Sequence, residues 1–275
     1  MEIKEKAVKY FDLHHDRYFE DYYKRDKFHP KWVRHKKILE IIEDSKLSDN
    51  SKIADIGCGP GLLARDLSKM GFKGAGLDSS NNMINTAVDI FKDIGDENKW
   101  RFQVGDAENT PFKDNEFNVV VASGLIEYMD EDEKLLQELN RITSIDGLLI
   151  INIVNSWGYA TCLNDLTKYL KKIPGVMTAL SRIRRAILSS EYGADDLGFT
   201  PRKHNFWKFK KLCQSNGFTL ENNYCHHFSF FPAPLSTLTN PFLARIESNL
   251  DILGKTPLKI FCGTNLLVLR KTCEI

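Results

Sequence analysis

Residues 54–67 read ADIGCGPGLLARDL: a short apolar run, three glycines at alternate positions (Gly57, Gly59, Gly61), then an amphipathic run. A strand, a glycine turn and a helix N-terminus make a general site for adenosine cofactors. Glycines let backbone N–H groups reach a ligand, and the helix end favours a carboxylate or phosphate. The loop lacks the GxxxxGK[ST] of a nucleoside-triphosphate cradle. Its GxGxG spacing also differs from the GxGxxG dinucleotide fingerprint, and an acid, Asp55, precedes it. Taken alone, the glycines also suit a tight turn with no ligand.

Working outward, residues 52–57, 73–78, 100–104, 117–122 and 147–154 read as short strands, mostly apolar as expected of strands covered on both faces. Helical patterns separate them. One carries Leu62, Leu63, Leu67 and Met70. The next carries Met83, Ile84, Ala87, Val88 and Phe91 behind a cap at Ser79 or Ser80. A third starts at Asp130 with Glu133 in capping-box position. Strands alternating with helices predict an α/β fold with a parallel, doubly wound sheet. Ligands in such sheets bind at the carboxyl ends of the strands. Three acids fall there: Asp55 at the first strand, Asp78 at the second and Asp106 after the third. Asp78 is placed to accept both hydroxyls of a ribose, and Asp106 to meet an adenine amino group.

The segments ADIGCGPG, GLDSSNNMI, GDAENTPF and FNVVVASGLIEYM, in that order, resemble the successive motifs of class I S-adenosylmethionine-dependent methyltransferases. The resemblance covers roughly residues 50–155 and is nearest the small-molecule branch that contains the quinone-biosynthesis methyltransferases. FTPRKHNFWKFKKLCQSNGF and TNLLVLRK are similar to that branch's last helix and final strands. The resemblance implies a Rossmann-like seven-stranded sheet, mostly parallel with an antiparallel last strand. It implies S-adenosylmethionine as cofactor, with Gly57, Gly59 and Gly61 under the methionine moiety and Asp55 orienting its ammonium. Asp78 would hold the ribose, with Ser79 and Met83 near the adenine. Asp106 and Ala107 would read the adenine edge, and Ser123 would line the mouth for methyl transfer.

The chain has 275 residues, and its charge is nearly balanced, 38 Lys and Arg against 37 Asp and Glu, so a nucleic-acid partner is not expected. Six scattered cysteines show no metal-ligand spacing, and the N-terminus carries no apolar signal core. Reduced thiols in a cytoplasmic, metal-free protein are the expectation, with Cys58 an ordinary loop residue rather than a nucleophile. No run of 18 apolar residues predicts a membrane span. One domain is expected: a helical lid over 1–45, the cofactor core over 50–155, an acceptor-covering insertion over 155–215, and final strands with a helical insertion over 216–275.

The acceptor is less legible. The fourth strand ends in ASGLIEYM, without the [DN]PP[YF] of amino-directed nucleic-acid enzymes, the carboxylates of metal-dependent catechol enzymes or a Pro-Cys nucleophile. A small-molecule acceptor remains, and methylation of an oxygen by metal-independent in-line transfer is the expectation. Candidate bases are Glu127 after the fourth strand, His204 before the last large helix, and His226 of the His226-His227 pair. His14 and His15 sit in an aromatic-rich stretch that reads as a lid or as a helix packed on the sheet. Residues 155–215 hold eleven Lys and Arg against four Asp and Glu. Within them a 176–187 helix with an apolar stripe and Arg182, Arg184 and Arg185 reads as a pocket cap, as a peripheral membrane contact, as a recognition element for an acidic acceptor, or as a solvated basic face. With HHFSFFPAPLSTL nearby, the leaning is toward an apolar or amphiphilic acceptor. A nicotinamide-dependent oxidoreductase and a noncatalytic cofactor-binding protein are the alternatives. Oligomeric state is not legible.

Overall fold

Parallel pairing of short apolar strands organises the molecule. The computed structural model describes residues 3–15, 30–48, 50–97, 99–158, 162, 200–226 and 262–273. The 176–187 helix, His227, the aromatic stretch after His15 and most of HHFSFFPAPLSTL lie outside them.

The described helices are α1 (Ile3–Leu13), α2 (Pro30–Asp44), α3 (Leu62–Lys69), α4 (Asn81–Asp93), α5 (Asp132–Ile142) and α6 (Phe206–Ser215). The strands are β1 (Lys52–Ile56), β2 (Lys73–Asp78), β3 (Trp100–Val104), β4 (Phe117–Ala122), β5 (Thr143–Val154), β6 (Phe218–His226) and β7 (Thr264–Lys271). They form one seven-stranded sheet in the order β3-β2-β1-β4-β5-β7-β6. β1 through β5 pair in parallel, while β7 runs antiparallel to both β5 and β6. The order reverses at β1 and β4, and the crevice for ligands opens there.

Alternation along the strands sends side chains to two apolar layers. Ala54, Val120, Leu149 and Leu267 meet Leu135, Leu136 and Leu139 of α5 and Phe209 of α6. Ile53, Val119, Ile150 and Val268 meet Ile38 and Ile42 of α2, Leu67 of α3 and Phe91 of α4. Each fully buried leucine or isoleucine contributes about 1.5–3 kcal/mol, so this double layer fixes the strand ends that carry the site.

Two boundaries differ from the sequence reading. β5 begins at Thr143 rather than 147, because a register shift between Phe117 and Val119 lets the chain pair before Gly147. The expected capping box at Asp130 does not form: α5 starts at Asp132, and its preceding residue makes no side-chain cap. The acids there have tertiary partners instead. Asp130 accepts from the Ile3 amide at 3.1 Å, and Asp132 pairs with Arg202 at 2.9 Å and His204 at 3.1 Å. The α4 cap resolves to Ser80, whose hydroxyl accepts from the Met83 amide.

Candidate active site

The glycine loop follows β1 because nothing else can turn there. Gly57, Gly59 and Gly61 take φ of 76°, 51° and 72°, the left-handed region that side chains disfavour. The Gly57 and Cys58 amides donate to the Leu77 carbonyl at 2.7 and 3.0 Å, tying the loop to β2. Asp78, ending β2, accepts from the Gly59 amide at 2.9 Å and from the Ser80 amide at 2.9 Å. One carboxylate thus sets both the loop and the start of α4. Burial raises the Asp78 pKa against those amide bonds.

Two cavities flank this loop and share Gly57, Gly59 and Ser123 in their walls. The larger, about 270 Å³, is bounded by Asp78, Ser79, Met83, Asp106, Ala107 and Ser123, with Leu125, Tyr128 and Met129 beyond. Its roof is α1, through Lys4, Ala7, Val8 and Phe11. The roof is pinned at both ends. Asp12 accepts from the Ser80 hydroxyl at 2.6 Å, and Lys4 donates to Asp106 at 2.7 Å and also bonds Glu108. Phe11 packs edge-on against Tyr128 at 5.2 Å.

The smaller cavity, about 40 Å³, lies between the loop and α2, where Arg34 and His35 face Asp55. Asp55 is 3% exposed, and burial, with the Asp78 charge beside it, pushes its pKa up to about 7. Such a carboxyl gains most from a cation that reaches it. Arg34 has its Nε buried without a partner, and its Nη2 lies 3.0 Å from where a Cβ on Gly124 would stand. An acid and a guanidinium on one small cavity make a donor set suited to a zwitterionic amino acid group.

Nine of the ten residues expected at the cofactor are therefore brought to these two cavities. Gly61 is the exception: it lines neither, and a Cβ there would sit 2.9 Å from that of Ala87 and 3.2 Å from the Phe102 ring. Its missing side chain serves packing against α4 and β3. Cys58 lines the smaller cavity, and burial holds its thiol well above the usual range, with the Asp78 and Asp55 charges adding to the effect. A thiol so held is a poor nucleophile.

The three candidate bases are placed differently. Glu127 is buried in a single helical turn after β4. Burial raises its pKa, opposed by the charges of Arg34 and His204, and its Oε2 has no partner. His204 bonds Asp132 through Nε2, leaving Nδ1 buried and unpartnered. Among the described residues, neither lines the larger cavity. His226 ends β6 opposite Thr264. His14 caps back on the Tyr10 carbonyl at 2.9 Å, outside the cavity walls.

Arg34 and Lys4 were missed by sequence reasoning. HPKWVRHKKILEII holds six basic side chains, counting histidines, and no local signal separates Arg34 from the rest.

Residues 54–151 match the family model described as a methyltransferase domain. This segment is a class I methyltransferase domain. Among curated relatives, the chain is 32% identical over 111 residues to norajmaline N-methyltransferase of Rauvolfia serpentina, covering 40% of this chain and 38% of that one. It is 29% identical over 135 residues to the ubiquinone biosynthesis O-methyltransferase of Pelagibacter ubique, covering 46% and 54%. The chain thus spans about a third to a half of the length of the curated relatives it matches. In fold, it is similar to magnesium protoporphyrin IX methyltransferase of Synechocystis PCC 6803, solved with bound SAH, at a TM-score of 0.63. That likeness covers 98% of this chain and 100% of the other at 16% identity. The methyltransferase sheet, with its antiparallel β7, is the one seen here. Among the described residues no helix is long and apolar enough to cross a membrane, and no cluster of three or more His, Cys, Asp or Glu could hold a metal.

Proposed function

We propose that the protein transfers a methyl group from S-adenosylmethionine to a small-molecule acceptor, an oxygen of an apolar or amphiphilic metabolite. The observation that carries the reading is the shared glycine wall, with Asp78 and Asp106 on one side and Asp55 and Arg34 on the other. The sulfonium cofactor supplies an activated methyl group when bound.

In this reading Asp55 takes the cofactor's ammonium, Arg34 its carboxylate and Asp78 its ribose hydroxyls. Asp106 and Ala107 meet the adenine, with Ser79 and Met83 beside it. Gly57 and Gly59 give the backbone approach, Gly61 keeps the loop packed, and Ser123 borders the mouth where methyl and acceptor meet. The apolar roof of α1, with Leu125 and Met129, excludes water and holds the two reactants in line, which supplies much of the rate for such a displacement. No metal is invoked. An acceptor hydroxyl must still lose its proton. His204, paired with Asp132, and Glu127, whose pKa burial raises, are the candidates for that task although they stand outside the walls of the larger cavity, with His226 at the end of β6. The chain is read as one domain: lid to residue 45, core over 50–155, acceptor cover over 155–215, and final strands thereafter.

The test is calorimetric titration with S-adenosylmethionine, followed by transfer of labelled methyl into a fractionated metabolite extract. Saturable binding with label in an organic-soluble product is the expected result. Label in RNA or protein would overturn the substrate class, and absence of any cofactor binding would sink the reading.

A further inference from the structure

We infer that a third cavity at the same sheet edge binds a flat, uncharged amide-type group, a primary carboxamide or lactam, as the anchoring end of the acceptor; this rests on the methyl-transfer reading above. The cavity holds about 160 Å³ and is lined by Asn155, Trp157, Phe206, Trp207, Asn223 and Asn265, with Asn205 at its rim. No charged side chain is among its described lining residues.

Its polar wall is an amide pair on β6 and β7. Asn223 Nδ2 donates to Asn265 Oδ1 at 3.0 Å. The Cys262 thiol reaches that same oxygen at 3.4 Å and the Cys225 thiol at 3.8 Å, which fixes the orientation of the Asn265 amide. What remains is one donor, Asn265 Nδ2, and one acceptor, Asn223 Oδ1, both buried without a partner. Asn265 is 2% exposed. Buried amide atoms are almost always paired, so two left open beside each other on one cavity wall mark a ligand's place.

Asn155 is different, because both ends of its amide are used: it donates to the Cys262 carbonyl at 2.9 Å and accepts from the Trp157 amide at 3.0 Å. Its task is to hold Trp157. Asn205 likewise caps α6 by accepting from the Lys208 amide.

The open donor and acceptor select the ligand. A carboxamide or lactam presents a carbonyl oxygen to Asn265 Nδ2 and an N–H to Asn223 Oδ1, completing both. A carboxylate would set a negative charge against Asn223 Oδ1, and an ammonium offers nothing to Asn265 Nδ2. Flatness follows from the walls. Trp157 and Trp207 are 67% and 59% exposed, unusual for indoles in a globular chain, and Phe206 meets Trp207 edge-on at 5.1 Å. β7 lies two strands from β4 and β6 three, so the amide pair sits about 10–15 Å across the sheet from Ser123. A single acceptor of a few rings reaches both.

The experiment uses the full chain and three probes: benzamide, benzoate and S-adenosylhomocysteine, followed by ligand-observed NMR and calorimetry. Benzamide is expected to saturate with a dissociation constant in roughly the millimolar range for so small a ligand. Benzoate should bind about tenfold more weakly or worse. Asn265→Leu removes the open donor, and Trp207→Ala, at an exposed position, removes a stacking wall without disturbing the core. Each should weaken benzamide about tenfold while leaving S-adenosylhomocysteine binding intact, which also reports that the variants fold. Equal affinity for benzamide and benzoate, or benzamide binding indifferent to both substitutions, would overturn the pocket and spare the methyl-transfer reading. Benzamide binding without any S-adenosylhomocysteine binding would sink the methyl-transfer reading and leave the pocket standing.

Discussion

The glycine-loop side and the α6 side of one sheet edge are built from different materials. The first uses backbone amides and carboxylates at the ends of β1, β2 and β3, within residues 55–107, with Arg34 of α2 and Ser123 after β4 beside them. The second uses side-chain amides and indoles brought from β5, α6, β6 and β7, spread over residues 155–265. A ligand whose chemistry does not change can be met by main chain and fixed strand ends. A ligand particular to one protein has to be met by side chains, chosen one at a time. The comparison predicts that substitutions on one side leave binding on the other intact, and that the size of the effect falls as one moves from main-chain contacts to the roof.

The largest effect belongs to Asp78. Asp78→Ala removes the group that holds the Gly59 and Ser80 amides as well as the proposed ribose contact. Gly59→Arg forces a side chain onto a backbone with φ of 51° inside the cavity wall. Each should lower S-adenosylhomocysteine affinity by about 100-fold or more, close to 3 kcal/mol, in calorimetric titration. Benzamide binding should be unchanged; loss of both together would show one site where two are proposed.

Asp55 comes next, and its effect depends on pH. Its carboxyl is pushed up to about 7 by burial and by the Asp78 charge, so the folded protein holds a proton there that the unfolded chain releases near pH 4. Between pH 4 and 7 the folded state binds more protons than the unfolded one, so stability falls as pH rises through this window and levels off above it. Asp55→Asn should remove that slope and stabilise the cofactor-free protein at pH 8 by about 2–4 kcal/mol in urea unfolding. Cofactor binding needs the ionised form to take an ammonium. Affinity should therefore rise about fivefold from pH 6 to pH 7, about twofold more by pH 8, and flatten above that, and the substitution should abolish this dependence. A flat profile in the unsubstituted protein would remove Asp55 from the ammonium's site.

Arg34→Met should cost about tenfold in affinity for S-adenosylhomocysteine, as expected for one charge-assisted contact in a partly buried site. A matched titration with 5′-methylthioadenosine, which lacks the amino acid end, should show no change. Equal losses for both ligands would place Arg34 in support of Gly124 and Glu127 rather than at a carboxylate.

The positions of these residues in the fold differ in how far local sequence dictates them. Asp55, Asp78 and Asp106 were legible because a strand, a turn and a helix repeat in register along the chain, so each acid's place follows from its own neighbours. Ser80 as the α4 cap was legible for the same reason. Arg34 was not, because α2 is brought beside the glycine loop by tertiary contacts, Ile38 and Ile42 on the sheet and His35 on Asp66. The Asn223–Asn265 pair was hidden more deeply: its partners are 42 residues apart and meet only once β7 has inserted antiparallel between β5 and β6. Asp130 misled in the opposite sense, looking like a local cap while serving the Ile3 amide.

The smallest expected effect tests how the roof relates to the cofactor side. Lys4 joins α1 to Asp106 and Glu108, yet the Asp106 side chain is 49% exposed, and exposed pairs of this kind contribute about 0–1 kcal/mol. The roof keeps other holds, Asp12 on Ser80, Phe11 on Tyr128 and the Ile3 amide on Asp130, so Lys4→Met should leave α1 in place. The substitution acts in two directions at once. It frees an Asp106 oxygen for the adenine amino group, and it loosens the end of the helix that covers the adenine. With the other holds intact, the net change in S-adenosylhomocysteine affinity should stay within about fivefold, and the salt dependence of binding should weaken. A tighter complex after the substitution would identify Lys4 as a competitor for Asp106 that cofactor binding must displace. A loss beyond tenfold would make α1 part of the binding site itself, joining the roof to the main-chain side of the comparison rather than to its edge.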